Sequence, residues 1–324
     1  MVNRRVFKSV FAQEINEYLD EKTRSGYCEK SFYYHLKIFD RFCCDNALCT
    51  KEFNQTLADE WVKIRPTEAS TTHYSRINTM KWFLTFLHNK GYPIRVTRNI
   101  AFKPTDFKPH IYTTDEIGRY FDAVDGFDSS QNKRTKIQYP VLFRLLYCCG
   151  TRINETLGIR KCDVDLDAGI IKLFEVKNDC ERYIVLNDAL LHLMQQYANK
   201  TFYLLSEGDY IFRSARDGRY HGDTVYEHHR LILKQAGIPY IGDGKGPRVH
   251  DWRHTFAVTA FKQMIDQGLD MYVALPILST YLGHKTIYAT EKYVRLTMEI
   301  YPFIQEKFKD KMEAVFGTVH HEAD

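Results

Sequence analysis

The chain has 324 residues, of which 44% are hydrophobic and 27% charged, so disorder is not its default and there is room for two domains. The net charge of +4 is unevenly spread: residues 1–110 hold 18 Lys and Arg against 12 Asp and Glu, and residues 111–324 hold 27 against 29. That basic first part points mildly toward a polyanionic partner. The start, M-V-N-R-R-V-F-K, meets charge before an apolar run reaches signal-peptide length, and no apolar stretch approaches the roughly 20 residues that span a bilayer. A cytoplasmic protein is expected. The eight cysteines include two adjacent pairs and no C-x-x-C, which argues against a zinc site or a secreted disulfide framework and predicts buried, reduced thiols.

Residues 6–100 predict a small basic helical bundle. Phe11, Ile15, Tyr18 and Leu19 fall on one helical face; a second helix is expected from Ser31 to Cys44 with Phe32, His35, Leu36, Phe39 and Phe42 inward. A third, shorter helix ends before Pro66, and a fourth runs from a capping cluster at Ser70 to Thr72 through Trp82 and Phe86 to a stop at Gly91. Its polar face carries His73, Arg76 and Lys81, of which Arg76 and Lys81 are candidate contacts for such a polyanion. Periodicity vanishes over N-I-A-F-K-P-T-D-F-K-P-H-I-Y-T-T, which predicts an extended linker at 101–112. The expected division is thus a bundle at 1–100, the linker, and a second domain at 113–324.

The second domain opens on a helix beginning at Thr114. Pro140 is expected to open a strongly apolar helix that stops at Gly150, with Arg152 just beyond in G-T-R-I-N-E-T-L. From 169, G-I-I-K-L-F-E-V-K-N-D-C-E-R-Y-I-V-L reads as two strands joined by a turn at Lys177, Asn178 and Asp179. Further helices follow, interrupted by the glycine-rich stretch at 241–247. The predicted class is mainly α with a small antiparallel β-sheet (α+β).

Several residues here have a bland reading when taken singly. His250 and Arg253 in R-V-H-D-W-R-H-T-F share a helical face, as surface charges at a helix start often do. Arg152 suits a surface ion pair with Glu155, Lys177 a solvated turn, His284 a helix end, and Tyr293 a core position. Together they form one chemistry. Two arginines clamp the oxygens of a phosphodiester and neutralise charge in the transition state. A tyrosine hydroxyl attacks phosphorus and holds it covalently. Histidine exchanges the nucleophile's proton, and lysine protonates the departing oxygen. The set needs no metal or other cofactor.

With its motifs in this order, the chain resembles the tyrosine recombinases of the phage-integrase family over nearly its whole length. The matching motifs are G-T-R-I-N-E at 150–155, V-K-N at 176–178 followed by R-Y-I-V-L, H-D-W-R-H-T-F at 250–256, and Leu282-Gly283-His284 with Tyr293 nine residues after the histidine. The resemblance implies a catalytic set of Arg152, Lys177, His250, Arg253, His284 and Tyr293, with Glu155 supporting Arg152. Lys172 and Lys161 compete with Lys177, and Tyr288 is a rival nucleophile whose spacing from His284 is too short for the family pattern. The implied fold is a helical DNA-clamping bundle (SAM-like) followed by a catalytic domain with a C-terminal tail helix, without an added arm-binding domain. The implied reaction cleaves one strand of double-stranded DNA through a 3′-phosphotyrosine and proceeds by a Holliday junction, as a homotetramer on two duplexes, without ATP. The apolar stripe of Phe303, Ile304, Phe308 and Met312 is expected either to pack on its own domain or to dock on a neighbouring protomer. Two alternatives are a type IB topoisomerase and a non-catalytic DNA-binding regulator on the same fold.

Overall fold

The structure is a computed structural model that describes residues 6–97, 100, 108–129, 132–175, 180–240, 242, 246–284, 286 and 288–301. The chain divides into two compact units, residues 1–107 and 108–324. The predicted linker lies largely outside the described residues.

The first unit contains α1 (Ala12–Arg24), α2 (Glu29–Asp45), α3 (Gln55–Val62) and α4 (Ser70–Asn89). The apolar stripes do what their spacing demands: Phe11, Ile15, Tyr18 and Leu19 from the first turns meet Leu36 and Phe39 of α2 and Phe83 of α4 in one core. Phe39 sits at its centre, edge-on to Trp61 at 5.5 Å and to Phe83 at 5.7 Å, the geometry that aromatic quadrupoles favour. Phe42 is only partly buried. The helix α4 starts after Ala69 without a side-chain cap, and Trp82 is half exposed.

Arg76 corrects the sequence reading. It is 1% exposed, and its guanidinium forks onto both carboxylate oxygens of Glu68 at 2.7 Å. It also donates to the carbonyls of Trp61 and Lys63 and lies 4.9 Å from the centre of the Trp61 ring. A charge buried this way ties the end of α3 to α4, and it is spent on the protein rather than offered to DNA. Lys81 is partly buried on the same helix.

The second unit contains α5 (Thr114–Asp125), α6 (Thr135–Cys149), the single turn α7 (Ile153–Thr156), β1 (Val164–Asp165), β2 (Ile170–Glu175) and β3 (Cys180–Val185). It continues with α8 (Asp188–Thr201), α9 (Gly222–Gln235), α10 (Asp251–Asp266), α11 (Met271–Leu282) and α12 (Tyr288–Ile300). Helix α5 begins at Thr114, as expected, behind a capping box between Thr113 and Glu116. Pro140 does not open α6 but lies inside it, five residues after Thr135, where it costs the ladder bond to the carbonyl of residue 136. The near-continuous apolar run of α6 makes it the central helix, packed against α5, α8 and α10.

The three strands form an antiparallel sheet in the order β1-β2-β3, with Ile171 opposite Ile184 and Leu173 opposite Arg182. Ile171, Leu173 and Ile184 are buried, whereas Phe174, Tyr183 and Val185 face outward. The expectation of buried thiols holds for Cys43 and Cys149 only; Cys28, Cys44, Cys49 and Cys162 are exposed, and the side chain of Cys180 lies outside the described residues. Among the described residues no helix is long and apolar enough to cross a membrane.

Candidate active site

Two helix ends build the site. Helix α6 stops at Gly150, which adopts a left-handed conformation with φ 58°. A Cβ there would lie 2.3 Å from the Phe256 ring, so only glycine lets α10 approach this closely. Helix α11 stops in the same way at Gly283, with φ 66°, and the His284 N–H closes the turn on the Ser279 carbonyl at 3.0 Å. Each turn delivers a candidate residue, Arg152 from the first and His284 from the second.

Arg253 joins the two ends. From the first turn of α10 it donates to the Gly150 carbonyl at 2.7 Å and to the Leu282 carbonyl at 2.6 Å. A guanidinium placed at two helix C-termini is favoured by both helix dipoles. It is 1% exposed, and burial together with the nearby charge of Arg152 brings its pKa down to about 10. Its Nη2 also lies 3.1 Å from His284 Nε2. Because arginine only donates, Nε2 accepts; the imidazole is neutral and its proton sits on Nδ1, which donates to Thr290 Oγ1 at 2.7 Å.

Arg152 is the more open of the two arginines, its side chain 30% exposed. Its Nη1 meets Glu155 Oε1 at 2.6 Å, and its backbone N–H donates to Glu155 Oε2 at 2.8 Å. Glu155 is itself buried and takes a second arginine, Arg182 of β3, at 2.7 Å. Two arginines, Arg152 and Arg182, therefore share a single carboxylate, and the charge of Arg253 lies close to that of Arg152.

Tyr293 projects from α12 into a small core with Ala257, Val258 and Phe261, and is 1% exposed. Its ring lies parallel to His284, with centroids 6.0 Å apart. Burial raises its hydroxyl pKa, and this outweighs the charge and hydrogen bond of Arg253 that pull it down. The phenol is therefore protonated near neutrality and needs a proton acceptor to become a nucleophile. His250 caps α10, with its ring edge-on to His254 at 4.8 Å. It also lines a cleft of about 510 Å3 with Tyr226, Arg230, Tyr240 and Arg248.

Arg152, Glu155, Arg253, His284 and Tyr293 thus share one cluster, with His250 on the same helix as Arg253. Lys177 and the side chain of Tyr288 lie outside the described residues. Of the rival lysines, Lys172 is paired with Glu181 at 2.8 Å on the outer face of the sheet, and Lys161 is paired with Glu207 at 2.9 Å. Sequence reasoning gave Arg182 only as the first residue of the R-Y-I-V-L motif, without a role, and missed Thr290. Both left a signal: Arg182 alternates in register with Ile184 and Leu186 on an inward strand face, and Thr290 shares a helical face with Tyr293.

Residues 112–299 match the sequence profile of the Phage integrase family. The putative integrase/recombinase y4rB of Sinorhizobium fredii is 25% identical over 90% of this chain and 95% of its own length. The tyrosine recombinase XerC of Staphylococcus saprophyticus is 25% identical over 86% of this chain and 90% of its own. Among solved structures, XerH site-specific recombinase bound to a palindromic difH substrate superposes with a TM-score of 0.64 at 16% identity, covering 82% of this chain and 75% of that one.

Proposed function

This chain belongs to the phage integrase family, as a tyrosine-type DNA strand transferase, and on that footing we propose that Tyr293 is its nucleophile in site-specific recombination. The observation that carries the reading is Tyr293 itself, buried with its ring parallel to His284 and its hydroxyl under the pull of Arg253, in one cluster with Arg152 and Glu155. A scissile phosphate entering there meets two guanidinium groups. Arg152, from the open edge, and Arg253, from the buried side, hold its non-bridging oxygens and neutralise charge as the phosphorus becomes five-coordinate.

The Tyr293 oxygen then bonds to phosphorus as its proton passes to a histidine of the site, His284 beside its ring or His250 at the start of α10. The bond from phosphorus to the 5′-oxygen breaks, its electron pair leaves with that oxygen, and Lys177 protonates it. The products are a 3′-phosphotyrosine and a free 5′-hydroxyl. Attack by a 5′-hydroxyl from a partner duplex reverses these steps and exchanges strands through a Holliday junction. The phosphodiester energy stays in the covalent link, so no ATP is consumed.

The partner in this reading is double-stranded DNA, which the substrate-bound XerH structure supports, and the working assembly is a homotetramer on two duplexes in the cytoplasm. The apolar stripe of Phe303, Ile304, Phe308 and Met312 lies outside the described residues. The test of the nucleophile is a denaturing gel with a labelled duplex nicked beside the cleavage point, which traps the adduct. Tyr293→Phe binds this duplex normally and yields no covalent band. An adduct that persists in Tyr293→Phe and vanishes in Tyr288→Phe moves the assignment.

A further inference from the structure

We propose that Arg182 is the positioning residue of the phosphate clamp, holding Glu155, and through it Arg152, in the orientation that receives the phosphate. This rests on the reading of Arg152 as a clamp. The argument starts from a misplaced charge. In the strand register Arg182 stands opposite Leu173, on the same face as Ile171 and Ile184, all three of them buried apolar residues. A guanidinium on such a face is costly unless a partner is waiting, and removing that partner leaves an uncompensated charge.

The partner is Glu155. Arg182 Nη2 donates to Glu155 Oε2 at 2.7 Å, and the same oxygen accepts the Arg152 backbone N–H at 2.8 Å. The other oxygen, Oε1, accepts Arg152 Nη1 at 2.6 Å. Arg182 thus pins one oxygen, so the carboxylate plane cannot turn and Oε1 stays aimed at the clamp. Arg182 also binds the second helix end: its Nε donates to the Tyr281 carbonyl at 3.3 Å, and its stem lies against Gly283, where a Cβ would come within 3.2 Å of Cδ.

One side chain therefore touches three parts of the site. These are its own strand β3, the Arg152–Glu155 turn, and the turn that presents His284. Its side chain is 15% exposed and donates to the Tyr281 carbonyl and to Glu155, which places it behind the carboxylate that holds Arg152.

The test is a double-mutant cycle in the full chain. The probe is a duplex that the wild-type protein selects from a random-sequence pool, nicked to trap the adduct. The rate of adduct formation is measured in single turnover at saturating protein. Arg182→Met keeps the stem and removes the donors; it should bind the duplex with unchanged Kd and cleave about 10- to 100-fold more slowly, the loss expected when a catalytic group shifts by about 1 Å. Arg182→Lys should recover part of that rate. In an Arg152→Ala background, Arg182→Met should cost nothing further, because the group it positions is gone.

Wild-type speed in Arg182→Met, or a loss that multiplies that of Arg152→Ala, overturns the proposal. If thermal melting shows that Arg182→Met does not fold, Arg182→Lys takes its place in the same cycle, with the same non-additivity expected and the same multiplication contradicting it. Failure of the wild type to form any adduct, or full speed in Arg152→Ala, overturns the clamp itself and is read from those two proteins alone.

Discussion

Arg253 is buried where few arginines are, and its surroundings explain why it stays there. It closes two helix C-termini and meets the lone pair of a neutral histidine, so the polar groups that hold it are the backbone of the fold itself. The like charge of Arg152 nearby works against it, and burial adds to that cost. The chemistry then needs a proton donor on the leaving side. An arginine does not deprotonate in proteins, whereas a lysine can give up its proton as the bond breaks. Lys177→Ala should keep its DNA affinity and cleave slowly. Replacing the bridging 5′-oxygen with sulfur makes a leaving group that needs no proton, and the variant should then recover most of its rate. Arg152→Ala should not recover, because it lacks charge stabilisation. A Lys177→Ala enzyme that stays slow on the sulfur substrate would assign the acid elsewhere.

At the scale of elements, the helices were legible wherever an apolar stripe ran at helical spacing, as in α1, α2 and α5. Pro140 misled because it reads as a helix start although the apolar core pulls the preceding turn into α6. The two-residue β1 is too short to show a period. Arg76 misled for a different reason: spacing places a residue on a helix face but does not say what folds over that face. Here Glu68 and the end of α3 do. Arg76→Ala is expected to destabilise the first unit by about 3–5 kcal/mol in urea unfolding, as the loss of one partner of a buried pair does. It should leave unchanged the salt dependence of DNA affinity, which falls by a log–log slope of about 0.9 per phosphate contact. Glu68 sets the pH window: burial raises its pKa, but the Arg76 hydrogen bond and charge outweigh this and hold it below its ordinary value. Its contribution is therefore present above its unfolded pKa of about 4.5 and is lost as pH falls through the lower folded value. Wild type and Arg76→Ala should converge in stability in acid. An exposed, dispensable Arg76 would show neither the loss nor the convergence.

For the whole molecule, the motif residues were legible because the chemistry demands particular side chains at particular places: Arg152 after a helix-ending glycine, Arg253 three residues after His250, and Tyr293 nine after His284. The supports were not, because Arg182 and Thr290 act through hydrogen bonds that exist only once β3 and α12 have packed. Assembly belongs to this scale as well. Deleting residues from 298 onward should weaken cooperative loading of a two-site duplex more than binding to a single site, if the apolar stripe at Phe303, Ile304, Phe308 and Met312 docks on a neighbour. Equal losses in a gel-shift titration would mean that the stripe packs on its own domain. The central claim, that Tyr293 carries the DNA, is tested most directly by mass spectrometry of the trapped adduct. Trypsin cuts after Lys285, Lys292 and Arg295, which puts Tyr288 and Tyr293 on different peptides. The account predicts a nucleotide joined through its 3′-phosphate to Tyr293, with a free 5′-hydroxyl on the released strand; a nucleotide on the Tyr288 peptide, or a 5′-phosphate linkage, would contradict it.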